Sequence, residues 1–508
     1  MGGLGEQKAG QEVSPGPIRR LLVANRGEIA VRVFRTAREM GIETVAVFAE
    51  DDAGAVHVFR ADRAESLGGG GVAETYLSTD RILDAARRSG AGAIHPGYGF
   101  LSENAGFARA VAQAGLLWVG APPEAIAEMG DKLRARARMR EAGVPVVPGS
   151  EGDAKDDLAL SAEAQRLGYP LLVKASAGGG GKGMSRVNRA EDLPAALAEG
   201  RRIALAAFGD DAVYLETLLE SARHVEFQVF GDRAGNVVHL LERECSVQRR
   251  HQKIVEETPS PALDPSLRSR MGEAAVAAAR AVGYVGAGTI EFLLDAGGSF
   301  YFLEMNTRLQ VEHPITEETL GVDLVRAQLD VAAGAELPES WRAGAPASRG
   351  HAIEMRLYAE DPVEFLPRAG TIREWIEPSG PGVRVDAGVE RGTRVGVDYD
   401  PLLAKLVVHA ADRPAAIDRA LRALGDWVVL GVETNLPLLQ EVLGSEAFRA
   451  GRYSTDLVTS LVRPPRAEVP DAAWIAAALA FGERTGPAIE ASSAAVADPW
   501  ESSDGWRP

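Results

Sequence analysis

The chain has 508 residues, 46% of them hydrophobic, and a formal net charge of −17. That length predicts about three domains of an ordinary soluble globular protein, and the acidic balance argues against nucleic acid as a main partner. A single cysteine, Cys245, excludes an intramolecular disulfide and a cysteine zinc site and fits a reducing cytoplasm.

Met1–Pro17 is rich in Gly and Gln, lacks an apolar core and reads as a disordered start rather than a signal peptide. Glu6 breaks the myristoylation pattern that Met1-Gly2 would open. No apolar run is long enough to span a bilayer, so a cytoplasmic protein without a membrane partner is expected. Lysine is scarce: Lys8, Lys132, Lys155, Lys174, Lys182, Lys253 and Lys405 are all there are. Where lysine persists among arginines, a compact ammonium suits the position better than a planar fork.

Ile18–Ala24 is a short apolar strand, and Asn25-Arg26-Gly27-Glu28 is a turn that opens a helix with an apolar face at Ile29, Val33 and Ala37. Glu43–Phe48 is the next strand, so the pattern is the βαβ of a parallel sheet. The loop His95–Phe100 follows another strand, at the end where open α/β sheets hold ligands. Asp131-Lys132 starts a charged helix that runs to Ala142, and Gly143–Gly149 breaks it with two prolines.

The strand Pro170–Lys174 leads into four consecutive glycines, Gly178–Gly181, followed by Lys182. Backbone N–H groups of such a run can close on phosphate oxygens, although the P-loop spacing is absent. Val213–Glu216 is an apolar strand, and His224–Phe230 alternates as a half-buried strand does. Glu242–Lys253 carries five potentially cationic side chains in an acidic protein, which suits an anionic ligand. Taken singly, the His95–Phe100 spacing favours a plain connecting loop, the glycine run resembles a flexible hairpin tip apart from its two flanking lysines, and Glu242–Lys253 fits a solvated basic loop as well as an anion site.

The strand Gly288–Leu294 places Glu291 among apolar residues, and the run Phe300–Leu303 leads straight into Glu304. A lone buried carboxylate must be paired or metal-bound. On adjacent antiparallel strands, Glu291 and Glu304 make a hard oxygen site suited to magnesium. Polar residues then recur at every second position: Glu304, Asn306, Arg308, Gln310 and Glu312. A period of two predicts one face of an extended chain. Thr316–Leu329 reads as helical, and Ala332–Trp341 as a linker. The alternating His351–Tyr358 opens an antiparallel module that continues to His409, with helices at Ala415–Leu424 and Asn435–Leu443. One more helix is expected near Ala472–Phe481 in an otherwise Ala- and Ser-rich tail.

Together these segments resemble biotin carboxylase, the ATP-grasp component of biotin-dependent carboxylases, from about Ile18 to Leu461. The resemblance rests on Ala24–Ala30, His95–Asn104, Met129–Lys132, Lys174–Met184, Arg223–Glu226, Gln248–Lys253 and Glu304–Pro314, all in the family's order. It implies an α/β protein, α+β overall: a parallel N-terminal domain at 18–130, an ATP-grasp domain at 131–345 with a mobile lid at about 146–217, and an antiparallel β-rich domain at 346–461. Residues 462–508 would form a partly helical or flexible tail.

The resemblance also implies roles. Lys132 and Lys174 would contact ATP phosphates under the loop of Gly180 and Gly181. Glu216, Thr217, Leu218, Leu219, His224, Gln248 and His251 would line the nucleotide pocket. Glu291 and Glu304 would bind Mg²⁺ or Mn²⁺, with Asn306 beside them. Lys253, Arg308, Gln310 and Val311 would hold bicarbonate, Glu312 would be the general base, and Arg356 would face biotin and carboxyphosphate. The implied partners are a biotin carboxyl carrier protein or domain, a carboxyltransferase subunit and a second copy of the chain, in a ligase that serves acetyl- or propionyl-CoA carboxylation and fatty acid biosynthesis.

Two departures matter. Thr217 stands where the family often has Lys, which removes a side-chain contact to the adenine. Arg356–Asp361 leans toward the acyl-CoA carboxylase version of its motif. The end of the chain, Asp498-Pro499-Trp500 and Gly505-Trp506-Arg507, resembles the start of the region that follows biotin carboxylase in longer carboxylase subunits, yet no Met-Lys-Met biotinylation site occurs, so biotin is expected on another polypeptide or on a missing region. The rival readings are another ATP-grasp ligase, such as half of a carbamoyl-phosphate synthetase, and a non-catalytic ATP-binding regulatory subunit.

Overall fold

The computed structural model describes residues 16–150, 156–176, 184–461 and 471–485. Its first sheet is parallel and holds β1 (Arg20–Val23), β2 (Glu43–Ala49), β3 (Arg63–Gly68), β4 (Ala93–His95) and β5 (Leu117–Trp118) in the order β3-β2-β1-β4-β5. The order reverses between β1 and β4, so the loops after these strands meet at a switch point. They are tied there: Asn25 Nδ2 donates to the carbonyls of Pro96 at 2.8 Å and Tyr98 at 2.7 Å.

A small antiparallel sheet follows, with β6 (Leu171–Ala175) between β7 (Ser185–Val187) and β8 (Val213–Thr217). Helices Asp157–Leu167 and Leu193–Phe208 supply Leu160, Ala164 and Leu197 to its core, against Val173 and Leu215. The four-glycine loop, with Gly180 and Gly181, lies outside the described residues.

The large sheet is antiparallel. Its strands are β9 (Arg223–Gly231), β10 (Val237–Arg249), β11 (Gln252–Thr258), β12 (Gly286–Leu294), β13 (Phe300–Asn306) and β14 (His351–Tyr358). The short strands β15 (Gly370–Thr371) and β16 (Glu374–Ile376) precede β17 (Val383–Ala387). After them come β18 (Arg394–Val395), β19 (Leu402–Ala410) and β20 (Val428–Leu430). Eight strands run in the order β13-β12-β9-β10-β11-β14-β19-β17. The module that opens at His351 therefore extends the central sheet, since β14 pairs with β11 from Thr258↔Ala352 to Val255↔Met355.

Three local expectations change. The strand at His224–Phe230 is buried along its whole length, because helix Pro265–Ala281 covers one face while helix His313–Leu320 closes over the neighbouring β10. Glu242–Arg249 is strand, not loop, and only Arg250 and His251, at φ 48° and 64°, form the hairpin tip. The helix expected over Thr316–Leu329 is two, His313–Leu320 and Leu324–Ala332, broken at left-handed Gly321.

A buried guanidinium links the first domain to this region. Arg32, on helix Gly27–Glu39, donates to Glu317 Oε1 at 2.7 Å and Asp323 Oδ1 at 2.9 Å. Separately, helix Asp471–Thr485 exposes Trp474, Ile475 and Leu479. No helix among the described residues is long and apolar enough to cross a membrane.

Glu257 on β11 ties the late elements to the sheet. It contacts His351 Nε2 at 2.6 Å and accepts from Arg413 Nε at 2.7 Å, with Tyr453 alongside. Burial alone would raise its pKa, but His351 and Arg413 hold it at about 2, against an ordinary 4.5. A depressed carboxylate contributes stability above its unfolded pKa that is lost as pH falls through the folded one. In urea unfolding, the stability difference between wild type and Glu257→Gln should therefore shrink as pH drops below about 4.5; a constant difference would contradict this.

Candidate active site

The site grows from two facing carboxylates. Glu291 on β12 and Glu304 on β13 are direct cross-strand partners. Their chain neighbours Ile290, Phe292 and Met305 point the other way, into the core against Phe227 and Phe302. Alternation on β12 turns Glu291 to the opposite face, and Glu304, beside Met305 and just past a ladder irregularity at Leu303, stands across from it.

Glu291 is well connected. Its Oε1 accepts from Lys253 Nζ at 2.8 Å, Asn306 Nδ2 at 2.8 Å and Gln310 Nε2 at 3.3 Å. Its Oε2 lies 2.9 Å from His224 Nε2, and His224 Nδ1 shares a 2.8 Å hydrogen bond with Gln248. Burial would push Glu291 up, but Lys253 and His224 hold it well below the usual carboxylate range. Glu304 differs: no hydrogen bond or ion pair reaches its carboxylate among the described residues. Burial and the charge of Glu291 push its pKa up, against Lys132. A connected acid facing an unpartnered one, with the Asn306 amide beside them, is a donor set that fits a hard divalent cation.

Lys253 is the hub. Its Nζ lies 2.5 Å from Glu226 Oε2, 2.8 Å from Glu291 Oε1 and 2.7 Å from Glu312 Oε1. Burial disfavours the ammonium, but the three carboxylates raise its pKa well above normal. Two triads that could geometrically hold a metal, His224/Glu226/Glu291 and Glu226/Cys245/Glu312, surround this ammonium. Lys253 already supplies their positive charge.

Glu312 is fully buried just before helix His313–Leu320, where the helix dipole favours a negative charge. Its second oxygen accepts from Arg356 Nη2 at 3.0 Å. Burial opposes ionisation, but Lys253, Arg356 and Arg243 hold its pKa well below normal. Arg356 also meets Glu256 at 2.5 Å.

The polar period of two after β13 is not a strand face. Regular strand ends at Asn306, and residues 307–312 turn toward the helix. The turn still gathers the side chains: Arg308 donates to Asn306 Oδ1 and Gln310 Oε1 at 3.0 Å each, and to Glu103 Oε2 at 2.9 Å.

A second cluster lies toward the small sheet. Lys174 and Arg136 both pair with Glu216. Lys132 is half-buried, its pKa lowered by burial and by Lys174 against the pull of Glu304 and Glu216. Thr217, Leu218 and Leu219 lead from β8 toward β9 and stay half-buried; the Thr217 amide donates to the Pro148 carbonyl at 2.9 Å. His251 stands exposed at the hairpin tip.

Several functional neighbours had no role in the sequence reading. Glu226 and Gln228 share the face of His224 on β9, and alternation could have flagged them. Arg243, fully buried, donates to Glu226 at 2.6 Å, Gln228 at 2.7 Å, Thr316 at 3.0 Å and Thr289 at 3.1 Å. No local signal marks it, because its partners come from β9, β12 and a later helix.

Three family models match the chain in succession. They are "Biotin carboxylase, N-terminal domain" over residues 17–126, "Carbamoyl-phosphate synthase L chain, ATP binding domain" over 131–340, and "Biotin carboxylase C-terminal domain" over 354–460. A biotin carboxylase of Halalkalibacterium halodurans is 48% identical over 442 residues, 87% of this chain and 97% of that protein. The mitochondrial methylcrotonoyl-CoA carboxylase subunit alpha of Rattus norvegicus is 48% identical over 445 residues, 87% of this chain but 62% of that one. Among solved structures, the biotin carboxylase domain dimer of Hydrogenobacter thermophilus 2-oxoglutarate carboxylase, in complex with MgADP, ADP and bicarbonate, superposes with a TM-score of 0.84 at 44% identity. That match covers 88% of this chain and 100% of that one.

Removing Arg243 leaves Glu226, which stands beside Glu291 and Glu312, with Lys253 as its remaining cation among the described residues. Arg243→Met should destabilise the fold by about 3–5 kcal/mol in urea unfolding, the usual cost of breaking a buried pair from one side; a loss under about 1 kcal/mol, that of an exposed pair, would show that Arg243 is not needed there.

Proposed function

This chain belongs to the biotin carboxylase family, and we propose that it uses ATP to activate bicarbonate and passes the carboxyl group to biotin held on a carrier protein or domain. It is an ATP-dependent ligase of the ATP-grasp type. One observation carries the reading: a fully buried carboxylate, Glu312, is gripped on one oxygen by Lys253 and on the other by Arg356.

Bicarbonate is a weak nucleophile, and an anion entering this site competes for the same cations. Lys253, Arg308 and Gln310, with the Val311 backbone, are the groups placed to receive it. As Lys253 turns to the substrate, Glu312 loses charge stabilisation and its proton affinity rises. Glu312 then takes the bicarbonate proton, and the freed oxygen attacks the γ-phosphorus of ATP. The P–O bond to ADP breaks and carboxyphosphate forms. Lys132 and Lys174 are placed to offset charge on the phosphoryl oxygens, and Lys174 must exchange Glu216 for phosphate to do so.

Glu291, Glu304 and Asn306 would hold Mg²⁺ or Mn²⁺, which supplies further charge compensation for the phosphates. Carboxyphosphate would break to CO₂ and phosphate, the phosphate would take the ureido proton of biotin, and Arg356 would steady the resulting enolate oxygen. His224 and Gln248 border this face, while Thr217, Leu218, Leu219 and His251 are assigned to the nucleotide. The loop of Gly180 and Gly181 would exclude water.

The carboxyl acceptor is an acyl-CoA in this reading, acetyl- or propionyl-CoA, supported by the pattern Arg356–Asp361. A carboxyltransferase and a second copy of the chain are the further partners, the latter supported by the dimer of the solved relative.

The test is Glu312→Gln. MgATP should bind as in wild type, while bicarbonate-dependent ADP release stimulated by biotin should fall by about a hundredfold or more. Unchanged turnover would refute the base assignment, and turnover indifferent to biotin would refute the reaction.

A further inference from the structure

Lys405 takes no part in the chemistry above, yet it is among the largest fully buried side chains. It projects from β19, directly opposite Arg356 on β14 and Asp386 on β17. Its Nζ donates to the Val311 carbonyl at 2.9 Å and lies 3.3 Å from Glu28 Oε2 and 6.0 Å from the centre of the Tyr98 ring.

These contacts join three separate stretches. Glu28 opens the helix Gly27–Glu39, Tyr98 lies in the loop after β4, and Val311 immediately precedes Glu312. Glu28 is brought in by backbone contact: a Cβ on Gly388, just after β17, would stand 2.5 Å from the Glu28 nitrogen. Neither Glu28 oxygen makes a hydrogen bond, so Lys405 is its charge partner. The Asn25–Glu28 turn and Lys405 thereby acquire a common purpose that the reaction itself leaves unexplained.

The Val311 carbonyl belongs to the peptide plane shared with Glu312. Holding that oxygen fixes the direction from which Glu312 leaves the backbone, and so the aim of its carboxylate between Lys253 and Arg356. We propose that Lys405, seated on Glu28, is a positioning residue for the reaction: it holds the turn Gln310-Val311-Glu312 in the register that lets Glu312 meet bicarbonate. The inference rests on the reading of Glu312 as the base.

Lys405→Met keeps the length of the side chain and removes its donor. Its MgATP dissociation constant should stay within about twofold of wild type. Its bicarbonate-dependent kcat should fall about a hundredfold, the scale of a misplaced reacting group. Lys405→Arg, which can still reach a carbonyl, should recover part of that loss. In a double-mutant cycle, Glu28→Gln should lower kcat alone and add little to Lys405→Met, because both act on one turn.

The inference is overturned if Lys405→Met keeps kcat and the bicarbonate KM, or if it loses MgATP binding in proportion to turnover, as a merely structural lysine would. If that variant does not fold, the same split between MgATP affinity and kcat is read on Glu28→Gln, with the same outcomes deciding. Glu312→Gln separates the two readings: an active Glu312→Gln sinks the base assignment, whereas an inactive Glu312→Gln beside an active Lys405→Met sinks only the positioning role.

Discussion

One ammonium among three carboxylates organises this molecule. Lys253 Nζ lies within 2.8 Å of Glu226, Glu291 and Glu312, which stand on β9, on β12 and at the start of a helix. Three like charges at that spacing repel strongly in a buried environment, and the central cation offsets all three. Arg243 and Arg356 complete the balance from opposite sides, on Glu226 and Glu312. The strands must therefore be built and registered before the charges can coexist.

The same interaction restrains the proposed base. Glu312 is held well below the usual carboxylate range, so in the resting arrangement it is a poor proton acceptor. A base tuned this way gains affinity for a proton only when a second anion draws its cations off. In the proposed reaction bicarbonate would be that anion. On that proposal, binding of substrate and activation of the base would be one event, and a site without bicarbonate would leave Glu312 quiet.

Much of the fold was readable from local sequence. The βαβ start follows from apolar runs and glycine turns, and the facing of Glu291 and Glu304 follows from single acids set in apolar strands. What local pattern could not supply were partners far apart in the chain. Arg243 needs Gln228, Thr289 and Thr316; Arg308 needs Glu103; Lys405 needs Glu28 and Val311. Spacing also misled, at His224–Phe230, where alternation suggested a half-buried strand and the strand is buried throughout, and again after β13. The polar alternation from Glu304 to Glu312 looked like one strand, but the backbone turns after Asn306, and hydrogen bonds from Arg308 gather the side chains instead. Buried polar strands were misread for a related reason. Glu242–Arg249 is charged enough to suggest a loop, yet Arg243 is neutralised by Glu226 on the neighbouring strand and Arg249 by Glu360 just past β14. The order of seven motifs pointed to the family, and the geometry supplied a physical reason for where the buried charges sit.

The coupling between Lys253 and Glu312 is tested most directly by two pH profiles recorded on one enzyme preparation. With rates referred to the bicarbonate actually present at each pH, the acid limb of kcat/KM for bicarbonate reports the base in the free enzyme, and that of kcat reports it in the substrate complex. A base must be unprotonated, so each rate falls as pH drops through its pKa. If bicarbonate draws Lys253 away from Glu312, the acid limb of kcat lies at clearly higher pH than that of kcat/KM. Coincident limbs, or a kcat limb at lower pH, would contradict it.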